Sequence, residues 1–432
     1  MKYDVILKNA GILDEAGFFT PEKHVLIFAG KIMEITDKWE EEWEAVEIID
    51  ASDLVISPGF VNLHTHSPMN LLRGLAEDVN IDDWFNKEIW PYESKMNEEN
   101  AYAGALAACC EMLHHGVTAF ADHYMFGEQV IKAVQETGIR CDFAPTVFGV
   151  SPNFNKDLES ALQLIEKHQR TNPALSFRLG PHAPYTCPPE TLKKIVDEAK
   201  GLEVGLHIHL SETEQQLKES LSTYGKTPFQ MLSEAGGFEL PLIIAHGLWI
   251  TEKDLHFLED QSYMAVSPKT YLKLAMGSGK LWQYWDQLPL TSGTDGAASS
   301  NSLDPLEQVR YFGLMGKHIT GNAEKFNMKN LWKILMRGHS ALPFESGKMG
   351  PGYVADLICW NLNSVMVSPV YDPLATILYS ADHSNIEHVM VNGKWMKRDG
   401  SLTLDEGMAQ LLLRKNVKDV MAKGKGKAQL TF

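Results

Sequence analysis

Short apolar runs recur along the chain, and what separates them changes with position. Near the start, the runs at 3–7, 24–28, 31–35 and 46–49 are divided only by brief polar or turn-forming stretches, which predicts strands and hairpins. The same texture returns after about residue 347, at 353–360, 388–391 and 394–397, with the turn pair Asn392-Gly393 between the last two. Between these ends, apolar strand-like runs alternate with helix-like stretches such as 97–115 and 190–200. That alternation implies βαβ units and a parallel sheet. The candidate strands are 59–64, 117–122, 141–147, 176–182, 204–210, 242–246, 263–266 and 290–294, eight in all, the number a closed barrel needs. The expected fold is therefore α/β: a (β/α)8 TIM-type barrel over 58–346. Residues 1–57 and 347–432 would join as a small β-sandwich built from both chain ends, plus a tail.

Several of the barrel runs end in, or just before, His or Asp: His64, Asp122, His182, His209, His246 and Asp295. In such barrels chemistry is done at the carboxyl ends of the strands, so these residues fall on the catalytic face. In a strand, residues two apart point the same way, so His64 and His66 of Leu63-His64-Thr65-His66 can present imidazoles to one ion. His207 and His209 have the same spacing, and spacing alone leaves them equivalent. Glu212, three residues beyond His209, suits the proton carrier that a metal-activated water requires. Taken singly, His246 reads as a core histidine and Asp295, in Ser292-Gly293-Thr294-Asp295-Gly296, as ordinary turn chemistry. Together, H-x-H on the first strand, histidine on the fifth and sixth and Asp on the eighth make a pattern that chance rarely supplies. Three imidazoles and a carboxylate suit one divalent metal per chain, Zn²⁺ first with Fe²⁺ as the alternative.

Composition narrows the partners. With a net charge of -17 the chain disfavours nucleic acid and anionic membrane, leaving a small-molecule substrate, in a monomer or a homo-oligomer. Five scattered Cys make no disulfide framework, the first residues lack a signal-peptide layout, and no run of 18 apolar residues occurs, so a cytoplasmic location is expected. Lys423, Lys425 and Lys427, spaced by glycines, read as a frayed, solvated tail, and Glu40–Glu42 as a solvated face. His114-His115 reads as a helix end, Asp122-His123 as strand-end residues outside the pocket, and Trp249 as a candidate cap over it. Gly277-Ser278-Gly279-Lys280 lacks the spacing of a phosphate loop.

The motifs PGFVNLHTHSPMNLLRGLAED (58–78), LGPHAPYTCPPE (179–190), HIHLSETEQQ (207–216), AHGLW (245–249), LKLAMG (272–277) and SGTDGAASSNSLD (292–304) resemble the amidohydrolase superfamily over nearly the whole chain. Within it the resemblance is to the chlorohydrolase/deaminase branch. It implies that His64, His66, His209 and Asp295 hold the metal and that His207 supports the strand. It further implies that Asp295 takes the proton of the attacking water, that Glu212 protonates the ring nitrogen beside the attacked carbon, and that His246 holds and polarises the nucleophile. Hydroxide on the metal would add to the amine-bearing carbon of a heteroaromatic ring and ammonia would leave. Methylthioadenosine- or S-adenosylhomocysteine-like nucleosides are the implied substrates. Displacement of chloride from a nitrogen heterocycle, or opening of its ring, is the alternative. Glu93, in Trp90-Pro91-Tyr92-Glu93, matches a ribose-binding carboxylate, and His182 a histidine near the purine. Trp90 and Phe148 are the aromatic candidates for stacking on a substrate. Two departures alter the expected pocket: Val266-Ser267 replace the family's usual His-Asn, and 144–149 carry no arginine where nucleoside deaminases have one.

Overall fold

The computed structural model describes residues 2–428 and 430. Its centre is a parallel eight-stranded sheet whose strands follow chain order: Phe60–Thr65, Val117–Tyr124, Arg140–Val147, Leu175–Pro181, Gly205–Leu210, Leu242–His246, Ser262–Val266 and Leu290–Ser292. Each lies within two residues of its predicted position. Because helices cover the outer face and side chains fill the inner one, these strands are apolar almost throughout, which made them legible as runs. The last strand returns to the first through the backbone N–H groups of Thr294 and Asp295, which both donate to His64 O at 2.9 and 3.0 Å. Asn62, fully buried, adds a side-chain clasp: its Oδ1 accepts from Thr294 N at 3.0 Å and its Nδ2 donates to Thr294 Oγ1 at 2.7 Å. The barrel thus closes beside its first two histidines.

The two chain ends form a second unit, one continuous nine-stranded sheet. Strand Lys2–Leu13 pairs with Phe19–Phe28, Glu44–Asp50 and Leu54–Pro58, and Leu54–Pro58 pairs antiparallel with Leu357–Asn361 from the far end. The faces enclose a small core with Val5, Leu7, Ile27, Ile56, Leu357 and Met390. Leu54–Pro58 was not separable in sequence from the first barrel strand, since only Gly59 divides them. Its neighbour was placed too early: residues 353–356 are not strand, and the strand is Leu357–Asn361.

The glycine-spaced lysines are not a free tail. Lys423 ends the helix Glu406–Lys423, which packs on the helix Glu98–His114. Beyond it the chain lies across Tyr92, whose hydroxyl donates to Ala428 O at 3.3 Å. A Cβ on Gly424 or Gly426 would fall 2.1 or 2.2 Å from the Tyr92 ring, so the glycines permit this approach. His115 caps the helix Glu98–His114, all five Cys are free and buried, and no helix among the described residues is long and apolar enough to cross a membrane.

Candidate active site

The strand ends bring the predicted histidines and acids to one buried point. His64 and His66 rise from the first strand, His209 from the fifth, His246 from the end of the sixth, and Asp295 follows the eighth. Three of the turning points are non-glycine residues with positive φ: Ser211 at 45°, His246 at 73° and Asp295 at 58°. Strain of this kind collects at functional sites, where surrounding structure enforces it.

Asp295 Oδ1 lies 3.3 Å from His66 Nε2 and 3.8 Å from His64 Nε2. The donor atoms of His64, His66 and Asp295 fall within 4.8 Å of one another, as do those of His64, His209 and His246. His66 and His209 join the two groups, with their Nε2 atoms 3.3 Å apart. That contact is not a hydrogen bond. His66 Nδ1 lies 2.6 Å from His123 O and His209 Nδ1 lies 2.7 Å from His182 O. A carbonyl only accepts, so each ring carries a proton on Nδ1, and in the neutral imidazoles that a metal requires the two Nε2 lone pairs face each other. His64 behaves alike: its Nδ1 meets His207 Nε2 at 2.9 Å, while its Nε2 is buried with no hydrogen-bond partner among the described residues. Burial first, and neighbouring imidazoles second, hold His64 and His209 neutral. Converging lone pairs on neutral rings beside a carboxylate suit a divalent cation, and the Nδ1 bonds provide the orienting contacts that such ligands need. His207 points away from this convergence and backs His64.

Above the histidines opens a cavity of 470 Å³ whose lining includes His66, Glu93, Phe148, His182, Glu212 and Asp295. Glu212 Oε1 lies 3.6 Å from His246 Nε2. The His246 ring meets Tyr271 edge-on at 5.7 Å, and the Tyr271 hydroxyl accepts from Ser267 N at 3.0 Å. The Tyr271 ring thus packs against His246 in the loop where Val266-Ser267 replace the family's His-Asn. Phe148 lies 4.6 Å from His182, whose pKa burial lowers to about 3. Glu93 is 7% exposed and accepts from the Tyr124 hydroxyl at 2.7 Å; burial raises its pKa against that bond. Trp90 lines the cavity and is 41% exposed, at its rim.

Two expectations are corrected. His123 lines the cavity: as the seventh residue of Val117–Tyr124 it lies at the catalytic end, and its Nδ1 meets Thr146 Oγ1 at 2.8 Å. Strand-end position was the signal for it. Trp249 is not a cap, because its Nε1 donates to Met276 O at 3.1 Å and its ring packs on Gly277, outside the lining.

Residues 55–396 match the model of the amidohydrolase family. The 5-methylthioadenosine/S-adenosylhomocysteine deaminase of Pyrococcus horikoshii is 35% identical over 409 residues, covering 93% of this chain and 97% of that protein. Its counterpart in Carboxydothermus hydrogenoformans is 36% identical over 410 residues, 93% of this chain and 95% of its own length. Among solved structures, an adenosine deaminase from Xanthomonas campestris with bound zinc superposes with a TM-score of 0.92 at 25% identity, covering 98% of this chain and 99% of that one. A barrel whose strand ends gather imidazoles and a carboxylate, and a family match spanning most of the sequence, lead to one conclusion: the chain belongs to the amidohydrolase family, as a hydrolytic enzyme acting on C–N bonds.

Proposed function

We propose that the protein is a metal-dependent hydrolytic deaminase of an aminated heteroaromatic ring, with 5′-methylthioadenosine- and S-adenosylhomocysteine-like nucleosides as its substrate class. His64, His66, His209 and Asp295 would hold one divalent ion, zinc in preference to iron. When bound there, such an ion lowers the pKa of a coordinated water to about 7 and so supplies hydroxide at neutral pH. Asp295 takes the proton released by the water. Its Oδ2 accepts from Ser299 Oγ at 2.8 Å, which holds the carboxylate facing the histidines.

What supports deamination most is Glu212. It stands in the cavity wall 3.6 Å from His246, on the loop just after His209, and is free of any lysine or arginine partner among the described residues. From there it protonates the ring nitrogen next to the attacked carbon, which lets that carbon accept the nucleophile, and the proton that Asp295 took from the water passes to the amino group, which leaves as ammonia. His246 orients the nucleophile and stabilises the charge that develops on it. Glu93, buried in the cavity lining beside the Tyr124 hydroxyl, takes ribose hydroxyls; His182 and Phe148 flank the ring and Trp90 covers it.

Ammonia release from 5′-methylthioadenosine by zinc-loaded protein tests this reading. A purified, zinc-loaded enzyme that frees no ammonia from any purine or pyrimidine nucleoside, but frees chloride from a chlorinated triazine, would overturn it.

A further inference from the structure

One carboxylate at the catalytic end of the barrel has no part in the reaction proposed above. Asp122, near the end of the second strand, is fully buried, lies outside the cavity lining and has no lysine or arginine partner among the described residues. A buried carboxylate without a cation is costly unless hydrogen bonds offset its lost water. Here three do. Oδ1 accepts from the backbone N–H groups of Ser67 at 2.9 Å and His123 at 3.1 Å, and Oδ2 accepts from the Ser67 hydroxyl. Two of these bonds come from the residue that follows His66. The third comes from His123, whose carbonyl lies 2.6 Å from His66 Nδ1.

The first strand ends at Thr65, which pairs with Asp122 itself. From there the chain leaves the sheet through His66 and enters the buried turn Ser67–Leu72, which the His66 side chain does not cap. Asp122 holds this turn in place of a cap and so fixes the peptide between His66 and Ser67. Two glycines let other segments close on the same turn. A Cβ on Gly104 would fall 2.2 Å from Pro68 O, and one on Gly296, beside Asp295, would fall 3.1 Å from Met69 Sδ and 3.5 Å from His66 Cβ. With its backbone held by Asp122 and its Nδ1 by His123 O, the His66 ring turns Nε2 towards His209 and Asp295.

We infer, on the footing of the metal ligands proposed above, that Asp122 is a positioning residue for the metal: by holding Ser67 it aims His66 Nε2, and it touches neither ion nor substrate. Its negative charge is a second way to favour a bound cation, and the two effects are separable. Asp122→Asn keeps an acceptor for the Ser67 N–H and offers an amide donor to the Ser67 hydroxyl, so it preserves the geometry and removes the charge. Asp122→Ala removes both. Zinc affinity by competition with a chelator, the visible spectrum of cobalt-substituted protein, and Tm are measured on these two variants and on Ser67→Ala.

Asp122→Ala should weaken zinc binding by about 10–100-fold and shift the cobalt bands. Asp122→Asn should return to within about threefold of the unaltered protein, and Ser67→Ala, which keeps the backbone bond, should fall between the two. In a His66→Ala background Asp122→Ala should cost no further affinity, because it acts through that ring. Asp122→Asn as weak as Asp122→Ala, or a further loss in the absence of His66, overturns the inference. So does a lower Tm with zinc affinity and cobalt bands unchanged. Should Asp122→Ala fail to fold, Ser67→Ala decides: an unaltered affinity and spectrum overturn the inference, and a weaker, shifted site upholds it. Zinc binding in the expected order, without ammonia release from the unaltered protein, overturns the deaminase reading and leaves the positioning role standing. If His66→Ala leaves zinc affinity unchanged, the ligand assignment and the inference fall together.

Discussion

Gln216 grips Glu212 at both ends: its Oε1 accepts the Glu212 backbone N–H at 3.1 Å, and its Nε2 donates to Glu212 Oε2 at 3.2 Å. The other carboxylate oxygen is thereby left facing His246. Because Gln216 also caps the helix Glu214–Tyr224 through Thr213, the proposed acid is fixed to a helix start and not to a loose loop. Glu212→Gln should keep the metal and lose turnover by about 10²–10⁴-fold. Gln216→Leu should reduce kcat by about tenfold with the metal retained, since it loosens the acid without removing it. Metal content and kcat measured on each variant check both; near-normal turnover in Glu212→Gln would remove it from proton transfer.

The opposed Nε2 lone pairs of His66 and His209 make the site costly to leave empty. Chelation should therefore lower Tm, and added zinc should restore it, with a stabilisation of about 4 kcal/mol when free zinc is a thousandfold above Kd. His209→Asn should abolish the zinc-dependent rise. His207→Asn, which removes only the contact to His64, should weaken zinc binding by about 10–100-fold. A zinc-independent Tm in the unaltered protein would count against the ligand assignment.

Asn62 closes the barrel from inside. Asn62→Leu would remove both bonds of the clasp to Thr294 while Thr294 N keeps its bond to His64 O, at a cost of about 1–2 kcal/mol. Since Thr294 adjoins Asp295, zinc affinity should fall with stability. Urea denaturation and zinc titration of the variant give the two readings.

His339 supplies a pH effect away from the metal. Burial lowers its pKa to about 4, against a partly opposing bond to Gly59 O. In the unfolded chain the ring titrates near about 6.5, so between pH 6.5 and 4 the unfolded state binds the proton that the folded state refuses. Stability is therefore present above this window and lost as pH falls through it, by about 3 kcal/mol in all. His339→Gln should flatten the dependence of unfolding free energy on pH across pH 4–6.5 by one proton, measured on apo protein in urea. An unchanged slope would show that the group does not titrate as its burial implies.

The barrel was legible because its strands are buried on both faces and end in chemistry-bearing residues; a run such as 242–246 needs no partner to be recognised. Pairwise facts were not. His207 and His209 are identical by period, and only the turn of each ring towards His64 or towards the convergence separates them. His123 lies one strand away from any motif, and its place in the cavity depends on Thr146 of the next strand. Glu93 resembles a surface acid in a helical stretch until the Tyr124 hydroxyl, from the second barrel strand, meets it in a buried setting. Trp249, the last residue of a motif, was the opposite case: its indole N–H found a carbonyl at Met276 and turned the ring away.

The sheet that joins the two chain ends also sets an order of events during synthesis. Pro58 pairs with Leu357, so strand Leu54–Pro58 emerges about 300 residues before its antiparallel partner, roughly 15–60 s at ordinary translation rates. Through that interval the growing chain carries an unsatisfied strand edge, of the kind that templates aggregation. The barrel between them can form first, and by bringing residues 59 and 346 together it would shorten the loop that the late strand must close. The catalytic unit is then also the device that lets the terminal sheet assemble, and slowing of barrel closure, as by Asn62→Leu, should appear first as aggregation during expression.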